Sequence, residues 1–534
     1  MRRALKLLSV FVTLTPVWLV LAWLVWTFAA TRAMEAGHQR LLDADFGFDV
    51  VTAQQRLGDI PDDRNAAPII DKAVQSLVLE TAAMRETYCS DLHLVSLQDE
   101  LSQTPQEQTE MLRVAEIATY IDAGLTSEQA IVAVAEHGFA TTVYPSSWQA
   151  AVVAVDDNSA ALQELFPLEQ LAEGHRVEAR RPHPYRNLIS VMEMIDAQLP
   201  HLEAVGELNR LVWMSAALKW HDGDHADALA TIRLIEFHAQ ALGSSTHVWL
   251  DGVYALSSHT VAAERVAELL PWVDLSDASV CAEAEIWLAM LLDDDPINVA
   301  LTNAIAGSTA VAQTKLRHDD ATAFGVVGRP AHRQSAADLA DYAIELKQAL
   351  DQAGTMAETE AKLPPEPESW YGTIAYIMAN PVYGRHAAEM RFRSERTRLL
   401  AATVIATSLY RNEHGDWPES LSDCVPDYLP VEAINPMTGT PIRYSSGDEV
   451  DPRPRVWTVG PDGEDDGGRA PVDDRDSDAD NVRYLDSGPP PPRTWWVATH
   501  RDSAGVTIAP WSSRSRPTSA THGRSISRSR RAHR

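Results

Sequence analysis

The chain has 534 residues and carries 75 acidic against 45 basic side chains, which gives a formal net charge of −30. This charge excludes nucleic acid as a partner and disfavours adhesion to an anionic lipid surface, whereas it suits a solvated extracytoplasmic protein with divalent counterions. Three cysteines in so long a chain do not form a disulfide framework, although one bridge would fit an oxidising compartment.

The N-terminus predicts a membrane anchor within residues 1–34. Residues 1–6 are basic, and no charged residue then occurs before Arg32. As a helix, residues 7–30 reach about 36 Å, enough to cross a hydrocarbon core of about 30 Å. The stretch is longer than the apolar region of a cleaved signal peptide, so we interpret it as an uncleaved single-pass anchor. The positive-inside rule places the N-terminus in the cytoplasm and the rest of the chain outside the cytoplasmic (inner) membrane.

Residues 35–363 predict a large all-helical domain. The segment is rich in Ala, Leu, Glu and Gln, poor in Gly, and its apolar residues recur at helical spacing. Within it, residues 211–230 predict a helical hairpin with Gly223 in the turn. The small residues Ala216, Ala226 and Ala228 would let its two helices cross closely, as in a tetratricopeptide-like pair, but no second copy follows at a period of about 34 residues.

Histidines crowd the same region and suggest an alternative function, that of a metal-dependent hydrolase. The candidate side chains are Asp222, Asp224, His221, His225, His238, His247 and His259. Metal-binding histidines four residues apart must share a helix face, but Gly223 interrupts the helix between His221 and His225. A structural turn with Asp224 as N-cap is therefore favoured. A further alternative is a helical scaffold that recruits a protein partner, which would need an exposed apolar groove along the hairpin.

No other pattern supports an enzyme. The chain has no nucleophile elbow, phosphate-binding loop or dinucleotide fingerprint. The acidic run 293–295 could supply an acid and a base, but such runs are commonplace at helix ends and turns. The cysteine at position 281 lies among apolar residues and is expected to be buried.

The chain changes character after residue 363. Residues 364–390 form a proline-rich connector with a short apolar segment. Residues 391–410 carry apolar side chains at helical spacing, and Gly415 predicts the end of that helix. The run 455–459 is β-like. Residues 489–534, rich in Pro, Ser and Arg, lack the apolar side chains that a core needs and predict a disordered basic tail.

An acidic, glycine-rich loop follows the β-like run. Its carboxylates at EF-hand-like spacing are Asp462, Glu464, Asp466 and Asp473. An EF-hand needs a helix on each side, whereas here Pro461 and Pro471 bracket the loop and a β-like run precedes it. Only Arg469 and Arg475 lie among the carboxylates. The spacing therefore leaves two interpretations open, a solvated acidic loop and a Ca²⁺ site.

The motif order in residues 391–488 resembles the soluble domain of the major pseudopilin of type II secretion. After a helix come the runs RNEHGDWPESL, VPDYLP, NPMTGTPIRY and VGPDG, which are similar to that family's motifs in the same order. The resemblance implies an α+β module in which a small antiparallel sheet packs on one helix. It also implies a calcium loop, with Asp462 at the position of its Asp and Asp478 or Asp480 at the later acidic ligand. In this chain the anchor lies several hundred residues before the module, so fibre assembly by the usual route is not expected.

These patterns predict a mainly α protein with an N-terminal transmembrane helix, a large helical domain, a small C-terminal α+β domain and a disordered tail. We expect a structural or interaction protein, not an enzyme, associated with secretion or envelope assembly. It would contact the bilayer through residues 7–30 and bind a protein partner that the sequence does not identify. The predicted cofactor is Ca²⁺, held by Asp462, Glu464, Asp466, Asp473, Asp478 and Asp480.

Overall fold

The first element in a computed structural model of the chain is a long helix, α1, which spans Arg2–Asp43. Its portion Val17–Asp43 is long and apolar enough to cross a membrane, so the predicted apolar N-terminal helix is confirmed. α1 continues without a break past residue 34 because its second half packs on protein. Ala30 and Leu41 are both buried there.

The structure describes the chain in several stretches. They are residues 2–78, 152, 154–172, 176–180, 191–245, 249–320, 323–365, 384–447, 453–460, 465, 467–468 and 481–485. Several predicted features lie outside them, namely the basic tail, most of the connector, His247 and all six predicted calcium ligands.

The described part is mainly helical, as predicted. After α1 come α2 (Val50–Leu57), α3 (Ala67–Gln75), α4 (Ser159–Leu165) and α5 (Pro167–Ala172). Longer helices follow: α6 (Val191–Asp222), α7 (His225–Ser244), α8 (Trp249–Leu269), α9 (Ala278–Leu292), α10 (Asp295–Asp320) and α11 (Ala323–Asp351). A short helix, α12, spans Met356–Lys362. Turns of 3₁₀ helix occur at Asp62–Arg64 and Leu270–Trp272.

The predicted hairpin is confirmed and consists of α6 and α7. Gly223, with a φ of 94°, forms the turn, a backbone conformation that favours glycine. Asp224 occupies the N-cap position of α7, although its side chain makes no capping hydrogen bond. Ala216 and Ala228 are fully buried, as expected for small residues where two helices approach closely. The Trp287 indole donates to the Leu229 carbonyl over 3.0 Å and so ties α9 to α7.

The C-terminal module begins with α13, which spans Arg385–His414. It starts six residues before the predicted position because Ala387 and Ala388 are buried and extend its packed surface. Gly415 ends the helix in the left-handed conformation, as predicted. A 3₁₀ turn at Leu421–Cys424 then leads toward the sheet.

A small antiparallel sheet, as the sequence predicts, completes this module. Its strands are β1 (Arg443–Ser445), β2 (Arg455–Thr458) and β3 (Asn481–Tyr484), in the order β1-β2-β3. Tyr444 pairs with Val456, and Thr458 pairs with Asn481. The side chains of α13 and β2 belong to the same hydrophobic core as those of α6, α7 and α9. The module is therefore packed directly on the helical part of the chain.

Candidate functional site

The acidic loop connects two neighbouring antiparallel strands. It leaves β2 after Thr458 and returns at Asn481, the residue that pairs with Thr458. The two ends of the loop are therefore held side by side by the sheet, and residues 459–480 must close between them. The predicted ligands Asp462, Glu464, Asp466, Asp473, Asp478 and Asp480 all belong to this connection but lie outside the described residues.

Asp465 shows how the start of this loop is attached to the sheet. Its Oδ1 accepts hydrogen bonds from the Trp457 indole and from the Gly467 amide, each over 3.0 Å. Its Oδ2 lies 3.4 Å from Nε of Arg443 on β1. Asp465 is not one of the predicted ligands, and its oxygens are already used by protein donors. It positions the loop over β2.

Close packing also holds the loop at Gly468. A Cβ placed on this glycine would lie 2.6 Å from a ring carbon of Trp457, and its φ is 65°. Both observations require glycine at this position. The loop thus passes directly over the indole ring that also donates to Asp465.

Arginines of the strands lie beside this acidic stretch. Besides the pairing of Arg443 with Asp465, Arg455 donates to the Gly467 carbonyl over 3.2 Å, and its side chain is buried. The expectation that only Arg469 and Arg475 accompany the carboxylates is therefore incomplete, because the sheet brings further cations from outside the loop. Their effect is local, at the loop's first turn. A carboxylate-rich connection anchored at one end can offer hard oxygen ligands to a divalent cation.

The histidines of the hairpin do not converge on one point. His221 lies 3.5 Å from Asp222, and His225 stacks on Trp220. His238 Nδ1 lies 3.1 Å from the Asn209 side-chain oxygen within the core. Each described histidine thus has its own protein neighbours, and the geometry that a zinc site requires is not found among them.

A recruiting scaffold would need an exposed apolar groove along the hairpin, and the described side chains of α6 and α7 do not form one. Among the described side chains of α6 and α7, no large apolar residue is exposed. The apolar faces of both helices are used within the protein core.

A different charged cluster lies where α7, α8 and α13 meet. Glu236, His259 and Arg398 are 1%, 0% and 2% exposed. Nδ1 of His259 donates to one carboxylate oxygen of Glu236 over 2.8 Å, and Arg398 donates to the other over 3.3 Å. Burial by itself raises the pKa of Glu236, but the charges of His259 and Arg398 outweigh it and lower the pKa to about 2.

Arg398 also closes the end of a helix. Its Nη2 donates to the carbonyls of Met290 and Asp293, the latter over 2.7 Å. These carbonyls lie at the C-terminus of α9, where a positive charge is favourable. The guanidinium therefore joins α13 to α7 and α9 at once, and a buried network of this kind is a positioning device for the long helix.

The sequence reasoning missed Glu236 and Arg398, although a signal for the arginine exists. Ser394, Arg398, Ala401 and Ile405 fall on one helical stripe, and all four are buried. An arginine within a stripe of small and apolar residues predicts a buried partner. His259 is one of the candidate metal ligands, but its Nδ1 contacts Glu236.

Among the described residues, one group of carboxylates has oxygens close enough together to bind a metal ion. The exposed side chains of Asp293, Asp294 and Asp295 have oxygens within 4.8 Å of one another. Arg176 lies 2.8 Å from Asp295, and the Asp295 amide donates to Asp293. The group lies at the N-terminus of α10, where the helix dipole stabilises acidic side chains even when no ion is bound.

The two described cysteines are unbridged. Cys424 is fully buried, and burial raises its pKa to about 12. Cys281 is only partly buried, with its sulfur 3.9 Å from Glu285 and from Asn412. The expectation that Cys281 is buried is wrong, because α13 covers only one side of its position on α9. Neither thiol has the electropositive surroundings of a reactive cysteine.

Comparison with known proteins gives no further guide to function. The chain matches no protein-family model, no curated protein and no solved structure.

Proposed function

We propose that this chain is a membrane-anchored, extracytoplasmic structural or interaction protein without enzymatic activity. In this proposal its C-terminal module is pseudopilin-like and binds Ca²⁺ through the loop between β2 and β3. The protein would act in secretion or envelope assembly. The basic residues before the apolar part of α1 favour a cytoplasmic N-terminus.

The architecture of the module supports this proposal. A 30-residue helix, α13, packs against a three-stranded antiparallel sheet. Such a helix-on-sheet arrangement agrees with what the motif order implied. The Asn435 side chain, within one of those motifs, donates to the Val459 carbonyl over 3.1 Å and is fully buried. It therefore links the segment before β1 to the start of the acidic loop.

The closure of the loop is the observation that carries the calcium proposal. Residues 461–480 contain nine carboxylates and two arginines, and the pairing of Thr458 with Asn481 holds both ends together. Confining like charges in a closed loop costs electrostatic free energy. The strand arginines balance the charge near Asp465, but most of the loop's carboxylates lie further along. A divalent cation with oxygen ligands would relieve this repulsion.

Thermal unfolding of the full-length protein in detergent micelles tests the proposal. We expect millimolar Ca²⁺ to raise Tm relative to chelator, and Mg²⁺ to raise it less because it dehydrates reluctantly. At a Ca²⁺ concentration ten times Kd, the stabilisation is about 1.4 kcal/mol. An unchanged Tm would leave the loop as a solvated acidic segment.

Two matched variants locate the ligands. The double variant Asp462→Ala/Asp480→Ala should lose the Ca²⁺-dependent rise in Tm. The control Asp62→Ala/Asp63→Ala removes the same charge from two exposed positions in the 3₁₀ turn at Asp62–Arg64 and should keep the rise. If the loop variant keeps the full rise, Ca²⁺ binds elsewhere, and the carboxylates 293–295 become the next group to substitute.

A further inference from the structure

The end of the α10–α11 hairpin lies beside the anchor helix. α1 and α11 run parallel at a constant offset. Arg333 donates to the Thr31 hydroxyl, a Cβ on Gly37 would lie 3.3 Å from Ala340 Cβ, and Arg40 lies 2.6 Å from Asp341. Each residue of α1 is therefore level with the residue about 302 positions later on α11.

The burial of α1 follows this offset. Ala30 is 1% exposed, and Thr27 and Trp23 are partly buried on the same face. Residues 17–22 are all exposed. The packing of protein against α1 ends where α11 begins, because Ala323, the first residue of α11, is level with residue 21 or 22 of α1. Ala323 thus lies about 15 Å beyond Arg333, toward the cytoplasmic end of the anchor.

This geometry conflicts with a membrane boundary at residue 30. Such a boundary would place the end of the hairpin well inside the hydrocarbon core. That end carries Asp319 and Asp320 at the close of α10, and carboxylates are strongly disfavoured in hydrocarbon. The boundary must therefore lie nearer the N-terminus.

We propose that the α10–α11 end rests in the headgroup layer of the outer leaflet and that hydrocarbon covers α1 only from about residue 3 to residue 22. Twenty residues span about 30 Å, the thickness of the core. Arg2, Arg3 and Lys6 then stand at the cytoplasmic boundary, where long basic side chains extend toward water. This inference rests on the proposed membrane anchoring and adds a second contact with the bilayer.

The residues just outside the proposed boundary suit a phospholipid surface. Trp23 and Trp26 lie within the first turn or so beyond residue 22, where aromatic side chains are enriched at membrane interfaces. Arg329 is level with Thr27, about 7.5 Å above the boundary, and Arg32 and Arg333 follow about one turn higher. In a chain with a net charge of −30, three arginines at this level complement the phosphates of the headgroups.

Depth measurement on the full-length protein in phosphatidylethanolamine and phosphatidylglycerol vesicles tests this inference. Single cysteines in a chain without native cysteines would carry a spin label at Leu21→Cys, Phe28→Cys, Ala323→Cys and Glu345→Cys. Collision rates with oxygen and with a water-soluble nickel chelate give the depth of each label. Thermal unfolding of each labelled protein shows whether it keeps its fold, and Asp320→Cys provides a second label at the hairpin end.

We expect the Leu21 and Ala323 labels at the boundary between hydrocarbon and headgroups, the Phe28 label in the headgroup layer, and the Glu345 label in water. An Ala323 label as accessible to nickel as the Glu345 label would overturn the inference, as would a Phe28 label within hydrocarbon. A Leu21 label in water would instead refute the membrane anchoring itself, so the two failures are distinguishable.

Discussion

The carboxylate of Glu236 is enclosed by three helices, and its charge is balanced by His259 and Arg398. Because its pKa is lowered to about 2, the contribution of this network to stability is fully present above the ordinary pKa of glutamate. It is lost as the pH falls from about 4.5 toward 2. At neutral pH the network therefore fixes how α13 docks on α7 and α9.

Substituting Arg398 by Met should be strongly destabilising. The change removes the cation that balances the buried Glu236 carboxylate, which keeps only His259 and Gln240 as partners. It also leaves two carbonyls at the end of α9 without their donor, so we expect a loss of about 3 to 5 kcal/mol in the free energy of unfolding. Urea unfolding in detergent measures it. Arg393→Met, at an exposed position of the same helix, is the control and should cost less than about 0.5 kcal/mol. Similar losses in both variants would contradict the role of the network.

Glu207 presents the opposite case, a buried carboxylate that is poorly compensated. Burial raises its pKa to about 7, and only Arg210, 3.1 Å away, works against the rise. The folded state thus binds this proton more tightly than the unfolded chain, so its contribution to stability decreases as the pH rises from about 4.5 to 7.

Replacing Glu207 by Gln should therefore stabilise the protein at pH 8, by about 1 to 3 kcal/mol. The gain should shrink as the pH approaches 4.5, because the carboxyl is then protonated in both states. Urea unfolding at several pH values tests this, with the exposed Glu345→Gln as control. A gain that does not depend on pH would exclude the titration of Glu207 as its cause.

At the scale of elements, α7 and α8 approach α10 through glycines. A Cβ on Gly252 would lie 2.5 Å from Ala304 Cβ, and one on Gly243 would lie 2.8 Å from Ala300 Cβ. These contacts are shorter than side chains tolerate, so the spacing of the three helices depends on the missing methyl groups.

Gly252→Ala should destabilise the protein by about 1 to 3 kcal/mol, even though alanine favours a helix. Gly206→Ala is a matched control, because this helical glycine has open space around it and should gain up to about 1 kcal/mol. Thermal unfolding gives both values. If both substitutions changed the free energy of unfolding in the same direction, the helix crossing at Gly252 would not be tightly packed. Adding Ala304→Gly should partly restore the stability lost in Gly252→Ala.

At the scale of the whole molecule, α1 serves two environments. Residues 17–22 are apolar and exposed, whereas Ala30 and Leu41 are buried against the helical body. Leu41 belongs to a core cluster that also contains Phe392 of α13. The apolar part of α1 is thus continuous with the core and is not joined to it by a linker.

Two truncations should separate these roles. Removing residues 2–28 should release the protein from membranes and leave its urea-unfolding midpoint near that of the full chain. Removing residues 2–43 should in addition lower the midpoint, because the loss of Leu41 alone is expected to cost about 2 to 5 kcal/mol. Flotation in a density gradient and urea unfolding measure the two effects. Equal midpoints for the two truncations would show that the second half of α1 adds nothing to the core.

Local chemistry determined much of the fold. A charge-free apolar run specifies a helix long enough for a membrane, Gly223 specifies the turn between α6 and α7, and Gly415 ends α13. The β-like run at 455–459 forms β2. Each of these signals depends on neighbouring residues, so it can be read along the chain.

The pairings of distant residues were decided only by the tertiary structure. Glu236 and Arg398 are 162 positions apart, and no spacing rule links them. The arginine on β1 that accompanies Asp465 also comes from another element. The close contact of Gly252 with Ala304 likewise joins two separate helices. The position of Ala323 along α1, on which the proposed membrane boundary depends, also follows from helix packing. Such contacts arise from how whole helices and strands pack, because burial brings together side chains whose positions in the sequence carry no information about one another.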